Sequence, residues 1–163
     1  MRETEEKLFH ELVKNSKRSD RELAKLLGVS QPTVTRTRKR LEKELISEYT
    51  IIPVWEKFGF EIMAFTYGKT QVHIKEEQRK FVTKAREWMN SHPNVIFSSS
   101  GHGMGMNSVT ISFHRNYTCF SNFLSEYMAF WGDYLADVET FLVSIQGGTI
   151  FKLFSFKYLT EAK

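Results

Sequence analysis

Between Ser30 and Lys43 the chain sets five basic side chains, Arg36, Arg38, Lys39, Arg40 and Lys43, against one acid, Glu42. Ser30, Gln31, Thr33 and Thr35 are interleaved with them or stand just ahead. Ammonium and guanidinium groups attract phosphate whatever the base sequence, and Arg or Gln can also meet a base edge through two hydrogen bonds. The chemistry on offer is therefore nucleic-acid contact. Arg36, Lys39 and Arg40 suit groove and phosphate contacts, Arg38 lies towards the flank, and Gln31, Thr33 and Thr35 suit base edges or backbone positioning. The local excess of +4 equals the formal net charge of the whole chain.

Other reactive side chains form no comparable pattern. The five histidines, His10, His73, His92, His102 and His114, show no H-x-x-x-H spacing, and Cys119 is the only cysteine. Neither a metal site nor a cofactor is expected, although His102 and His114 could approach each other across neighbouring strands. Cys119 falls in a helical pattern and reads as a small buried apolar residue. Gly101, Gly103 and Gly105 form G-x-G-x-G, but between two strands, with no helix start and no Lys-Ser/Thr after them, so a phosphate loop is excluded.

The elements that position the basic residues are legible. Ser19 and Glu22 have the spacing of a capping box, and Leu23, Ala24, Leu26 and Leu27 give the helix that follows an apolar side. Gly28 sits where a helix C-terminus needs positive φ. Val29 can plug the corner, Ser30 suits an N-cap, and Pro32 is tolerated in a first turn. In the second helix Val34, Leu41 and Leu45 form one stripe, with the basic and hydroxyl side chains opposite. Two short helices joined by a glycine corner, the second basic on its outer side, form a helix-turn-helix, whose second helix enters the DNA major groove. Leu8, Phe9, Leu12 and Val13 predict a further helix over 4–14 packed across the pair.

Residues 1–50 hold 12 Lys/Arg and 9 Asp/Glu, while residues 51–163 hold 11 and 10, so the positive field belongs to the N-terminal third. With 41% apolar and 14% aromatic residues the chain has ample material for a packed core. No apolar run approaches the roughly 20 residues of a membrane span. The charged start, Arg2, Glu3, Glu5, Glu6 and Lys7, argues against a signal peptide, and the cytoplasm is the expected compartment.

Beyond Glu44, residues 45–53 are β-prone and predict a short strand or wing. A linker over 53–59 then leads to strands near 60–67, 95–99, 108–114 and 138–145, helices over 75–90 and around Phe120–Trp131, a Gly147-Gly148 hairpin and a last strand over 150–159. The order is β-α-β-β-α-β, a ferredoxin-like arrangement with an added strand. The fold class is α+β: a (winged) helix-turn-helix domain over 1–52, a linker over 53–59 and a ferredoxin-like domain over 60–163. Both helices can cover one face of the sheet. The other face is expected to carry Ser, Thr and aromatic residues that need a partner such as a second subunit.

Arg21 to Ser30, Thr33-Val34, Arg36, Leu41 to Ile46, Tyr49-Thr50 and Lys57-Phe58-Gly59 resemble the Lrp/AsnC family of feast/famine transcription regulators. The resemblance implies a protein that binds double-stranded DNA as a homodimer, often assembled into tetramers or octamers. Its C-terminal domain mediates assembly and binds an amino acid or similar small effector. In that family the hairpin between the second and third strands commonly carries Gly-x-x-Asp near the effector site. The corresponding residues here are Gly101, His102, Gly103, Met104, Gly105, Met106 and Asn107, with no aspartate, so an ammonium group would lose its anionic partner. Two alternatives stand beside this reading. One is an enzyme on the same fold, similar to sirohaem decarboxylases, for which His102, His114 and Arg115 are the candidate side chains. The other is an effector-free architectural DNA binder.

Overall fold

A computed structural model describes residues 2–71, 75–148, 150–152 and 154–160. The chain divides into two compact units, residues 1–52 together with 152–163, and residues 53–151. The sequence reading placed 152–163 in the C-terminal domain.

The first unit is built on three helices, α1 (Glu3–Lys14), α2 (Asp20–Leu27) and α3 (Gln31–Glu44). Its start and corner signals act locally. The Ser19 hydroxyl accepts from Glu22 N–H at 3.3 Å while the Glu22 carboxylate accepts from Ser19 N–H at 2.7 Å, closing the capping box. Gly28 takes φ +66°, the left-handed cap that ends α2. Leu8, Leu12, Leu23, Ala24, Val34 and Leu41 form the buried core, with Phe9, Leu27, Val29 and Ile46 against it. Leu45 departs from the expected stripe: it caps α3 and is 54% exposed.

Two expected strands are replaced by other structure. Residues 45–53 form no strand, and Ile51 and Ile52 are exposed. The described residues of 150–159 form no strand either. Gly147 and Gly148 turn with φ +78° and +71°, and Phe156–Thr160 forms a 3-10 turn packed on α1. Residues 149 and 153 of that stretch lie outside the described residues.

The second unit is a four-stranded antiparallel sheet, β1 (Ile62–Thr70), β2 (Val95–Gly103), β3 (Met106–His114) and β4 (Leu135–Ser144), in the order β2-β3-β1-β4. Helices α4 (Lys75–Asn90) and α5 (Tyr117–Trp131) provide the crossovers and complete the βαββαβ arrangement. The helices bring bulk, with Trp88, Phe123, Tyr127 and Trp131 buried in one cluster with Leu135. The sheet answers with small residues. Ala64, Thr66 and Gly68 of β1 lie beside Ser112, Thr110 and Ser108 of β3, and Thr66, Thr110 and Ser112 are at most 2% exposed. A Cβ at Gly68 would lie 2.8 Å from Ser108 Oγ and 3.3 Å from Leu135 Cδ2, so the backbone is packed without room for a methyl group.

This assignment corrects the faces. The hydroxyl residues lie under the helices, and the opposite face is the apolar one. Phe97, Ile111, Phe65 and Phe141 run across all four strands in one row, with Phe97 50% and Phe141 64% exposed. At one end of that face Trp55 stands 4.9 Å and Phe60 5.9 Å from the Phe113 ring (between centroids), so part of the expected linker is a packing element of this unit.

Candidate nucleic-acid interface

The candidate surface is the outer side of α3. Ser30 is its N-cap: the hydroxyl accepts from Thr33 N–H at 3.4 Å and shares a 2.8 Å hydrogen bond with Thr33 Oγ1. Pro32 follows within the first turn, where its missing N–H has no partner to lose. The buried positions Val34 and Leu41 fix the rotation of the helix, which leaves Gln31, Arg36 and Lys39 exposed. Gln31, Pro32, Thr35, Arg36 and Lys39 line a shallow depression on that side.

The eight sequence-predicted contacts separate into two groups. Thr35 does not point freely outward, because its hydroxyl donates to Asp20 Oδ2 at 2.6 Å and lies 3.2 Å from the Gln31 carbonyl oxygen. Arg38 Nε lies 3.1 Å from Asp20 Oδ1, and one of its terminal nitrogens donates to the Arg18 carbonyl at 2.8 Å. Arg40 is paired with Glu5 of α1. Among the described residues no carboxylate pairs with Arg36 or Lys39. Sequence reasoning missed Asp20 and Glu5 altogether. They stand fifteen or more positions from their partners, and no local spacing signals such a pairing.

Supporting contacts hold the frame. Glu11 of α1 binds Lys14 at 2.7 Å and also pairs with Arg18, and these cations, Lys14 first, hold its carboxyl below the usual range. Tyr49 donates its phenol proton to Glu42 at 3.0 Å, and burial together with that bond raises its pKa.

The predicted effector residues occupy the β2–β3 hairpin. The strands run further into the glycine-rich stretch than expected, and Met104 and Gly105 alone make the turn, with φ +51° and +74°. Met104 and His102 are exposed at this tip, with Gly101 and Gly103 in β2 beside them, while Met106 is buried. The Asn107 side chain is already used: its oxygen accepts from Thr70 N–H at 2.9 Å and its nitrogen donates to the Thr70 carbonyl at 3.3 Å. A separate cavity of about 430 Å³ lies between α4 and β2, lined by Phe81, Ala85, Met89, Ser98 and Thr110 among others.

The described histidines do not converge on a metal site. His114 is 2% exposed, between the rings of Phe120 and Phe123, with Nε2 2.8 Å from Ser112 Oγ. Burial pushes its pKa down, so it is a neutral packing residue. His102 lies at the opposite end of the hairpin, since Gly103 pairs with Met106 and Val95 with Ser112. His73 lies outside the described residues, and among those described no group of three His, Cys, Asp or Glu could hold a metal ion. Cys119 is exposed on α5, against the expectation of burial. Among the described residues no helix is long and apolar enough to cross a membrane.

Residues 2–42 match the AsnC-type helix-turn-helix domain. No curated protein sequence matches the chain. Among solved structures, the chain resembles an AsnC family transcriptional regulator from Agrobacterium tumefaciens at TM-score 0.74 and 17% identity, over 98% of this chain and 99% of that one. E. coli AsnC gives TM-score 0.70 and 17% identity over 94% and 97%. A transcriptional regulator from Neisseria meningitidis in complex with L-Met gives 0.72 and 19% over 88% and 89%. Residues 2–42 thus carry an AsnC-type helix-turn-helix, and the chain as a whole shares the fold of these solved AsnC-type regulators.

Proposed function

We propose that this protein is a sequence-specific DNA-binding transcription regulator of Lrp/AsnC type that works as a homodimer or a larger homo-oligomer in the cytoplasm. The observation that carries the reading is the outer side of α3, where Gln31, Arg36 and Lys39 stand exposed at the start and middle of a second helix held by an AsnC-type domain. A bidentate Arg–guanine or Gln–adenine pair supplies about 1–3 kcal/mol of discrimination. The apolar row Phe97, Ile111, Phe65 and Phe141 supports assembly through the open sheet face, because a lone chain leaves it in water. Pairing two copies sets two recognition helices about 34 Å apart, one DNA turn, and favours a palindromic site.

That an amino acid serves as effector is supported by the L-Met complex of the Neisseria regulator, and the hairpin is the site we assign to it. The missing aspartate favours an effector whose recognition does not depend on a carboxylate from this loop. The enzyme alternative has no support in the geometry, because His102 and the buried His114 stand at opposite ends of their hairpin.

Genomic-fragment selection with the purified full chain, followed by footprinting at two salt concentrations, tests the reading. A short palindromic footprint that survives moderate salt is the expected result. Smeared protection lost steeply with salt would sink the operator reading in favour of an architectural binder.

A further inference from the structure

We infer that Asp20 and Glu5 are built-in phosphate mimics that withhold Arg38 and Arg40 from DNA, so that specificity rests on Gln31, Arg36 and Lys39. The inference deepens the proposed DNA-binding function and rests on it. Read as charge alone, α3 is a strong but indiscriminate polycation, and phosphate attraction carries no sequence information. The structure neutralises two of its five cations internally. The Asp20 carboxylate accepts from the Thr35 hydroxyl on one oxygen at 2.6 Å and stands 3.1 Å from Arg38 Nε on the other, an ion pair without a hydrogen bond, while a terminal Arg38 nitrogen donates to the Arg18 carbonyl at 2.8 Å. Glu5 takes Arg40 and also accepts from Arg2 N–H at 3.1 Å, which anchors it to the start of α1.

These acids are placed to hold their cations. Asp20 and Glu5 side chains are only 19% and 13% exposed, whereas Arg38 and Arg40 retain 21% and 38%. A guanidinium engaged in this way must exchange a fixed, partly desolvated carboxylate for a hydrated phosphate before it can touch DNA. Arg36 and Lys39 face no such exchange, so they engage first. Non-specific affinity is thereby kept low relative to affinity for the operator.

The test uses the full chain and two probes, a duplex carrying the site found by genomic selection and a scrambled duplex of equal length. Asp20→Asn keeps an acceptor for Thr35 but removes the charge, and Glu5→Gln keeps the capping geometry, since Gln serves at that position as Glu does. Each variant is expected to bind the scrambled duplex more tightly at low salt. Each should also steepen the plot of log affinity against log salt by about 0.9, roughly a 3.5-fold greater loss between 50 and 200 mM. The ratio of specific to non-specific affinity should fall. Adding Arg38→Gln to Asp20→Asn should return the slope to that of the wild type.

A simple structural bolt would behave otherwise, with weaker binding to both duplexes, an unchanged slope and a lower Tm. That result would overturn the inference. If Asp20→Asn fails to fold, the Glu5→Gln slope decides alone. Should the wild-type chain prefer no duplex, the regulator reading fails instead, and the two failures are separable.

Discussion

At the residue scale, roles are set by what surrounds each side chain. Arg36 is exposed on α3 and carries no intramolecular pair among the described residues, so Arg36→Ala should weaken DNA binding with no change in Tm. Matching falls in affinity and Tm would refute its assignment as a contact. His114 behaves in the opposite manner. Its pKa is lowered by burial, so the unfolded chain binds the proton more readily and folding stability is full above about pH 6.5. That stability is lost as pH falls through the lower, folded value. Thermal melts between pH 7.5 and 5 should therefore show a decline in the wild type that is smaller in His114→Gln. Gly68 marks a third kind of constraint. Gly68→Ala would drive a methyl group against Ser108 Oγ and Leu135, a cost of about 1–3 kcal/mol measurable by urea unfolding. None of these three environments is visible in local sequence, because the partners come from other elements.

At the element scale, legibility follows how local the cause is. The capping box at Ser19, the Gly28 corner and the Ser30 cap each lie within four residues of what they organise, and all three appear in place. Ser30→Ala should accordingly cost about 1 kcal/mol, read as a lower Tm of the N-terminal unit. Strands needed a partner that sequence could not supply. The β-prone stretch after Glu44 stays unpaired, and the Phe-rich end packs as a 3-10 turn on α1. Of the residues expected on the open face, the aromatics are there and the Ser and Thr are not, for a related reason. Alternation gives two faces but not which one the helices cover, and here the large rings of α4 and α5 select the face of small hydroxyl residues. For the candidate interface, residue types and helix were legible. The division between paired Arg38 and Arg40 and unpaired Arg36 and Lys39 required the fold.

At the scale of the whole molecule, the open face of the sheet carries the prediction about assembly. Ile111 sits in the middle of the apolar row, so Ile111→Lys should yield a smaller species by sedimentation and a half-length footprint. An unchanged mass with an unchanged footprint would move the interface elsewhere. The return of residues 152–160 to the helix-turn-helix unit has a practical consequence for dissecting the protein. The DNA-binding unit is discontinuous in sequence, with the sheet unit spliced into it. A fragment ended at residue 52 therefore lacks the turn that covers α1, and a protease cut near residue 55 severs only one of two covalent bridges. Under native conditions the pieces should stay associated after the single nick through the packing of Phe156–Thr160 on α1, although a denaturing gel resolves them, and a second cut near residue 150 removes that tie.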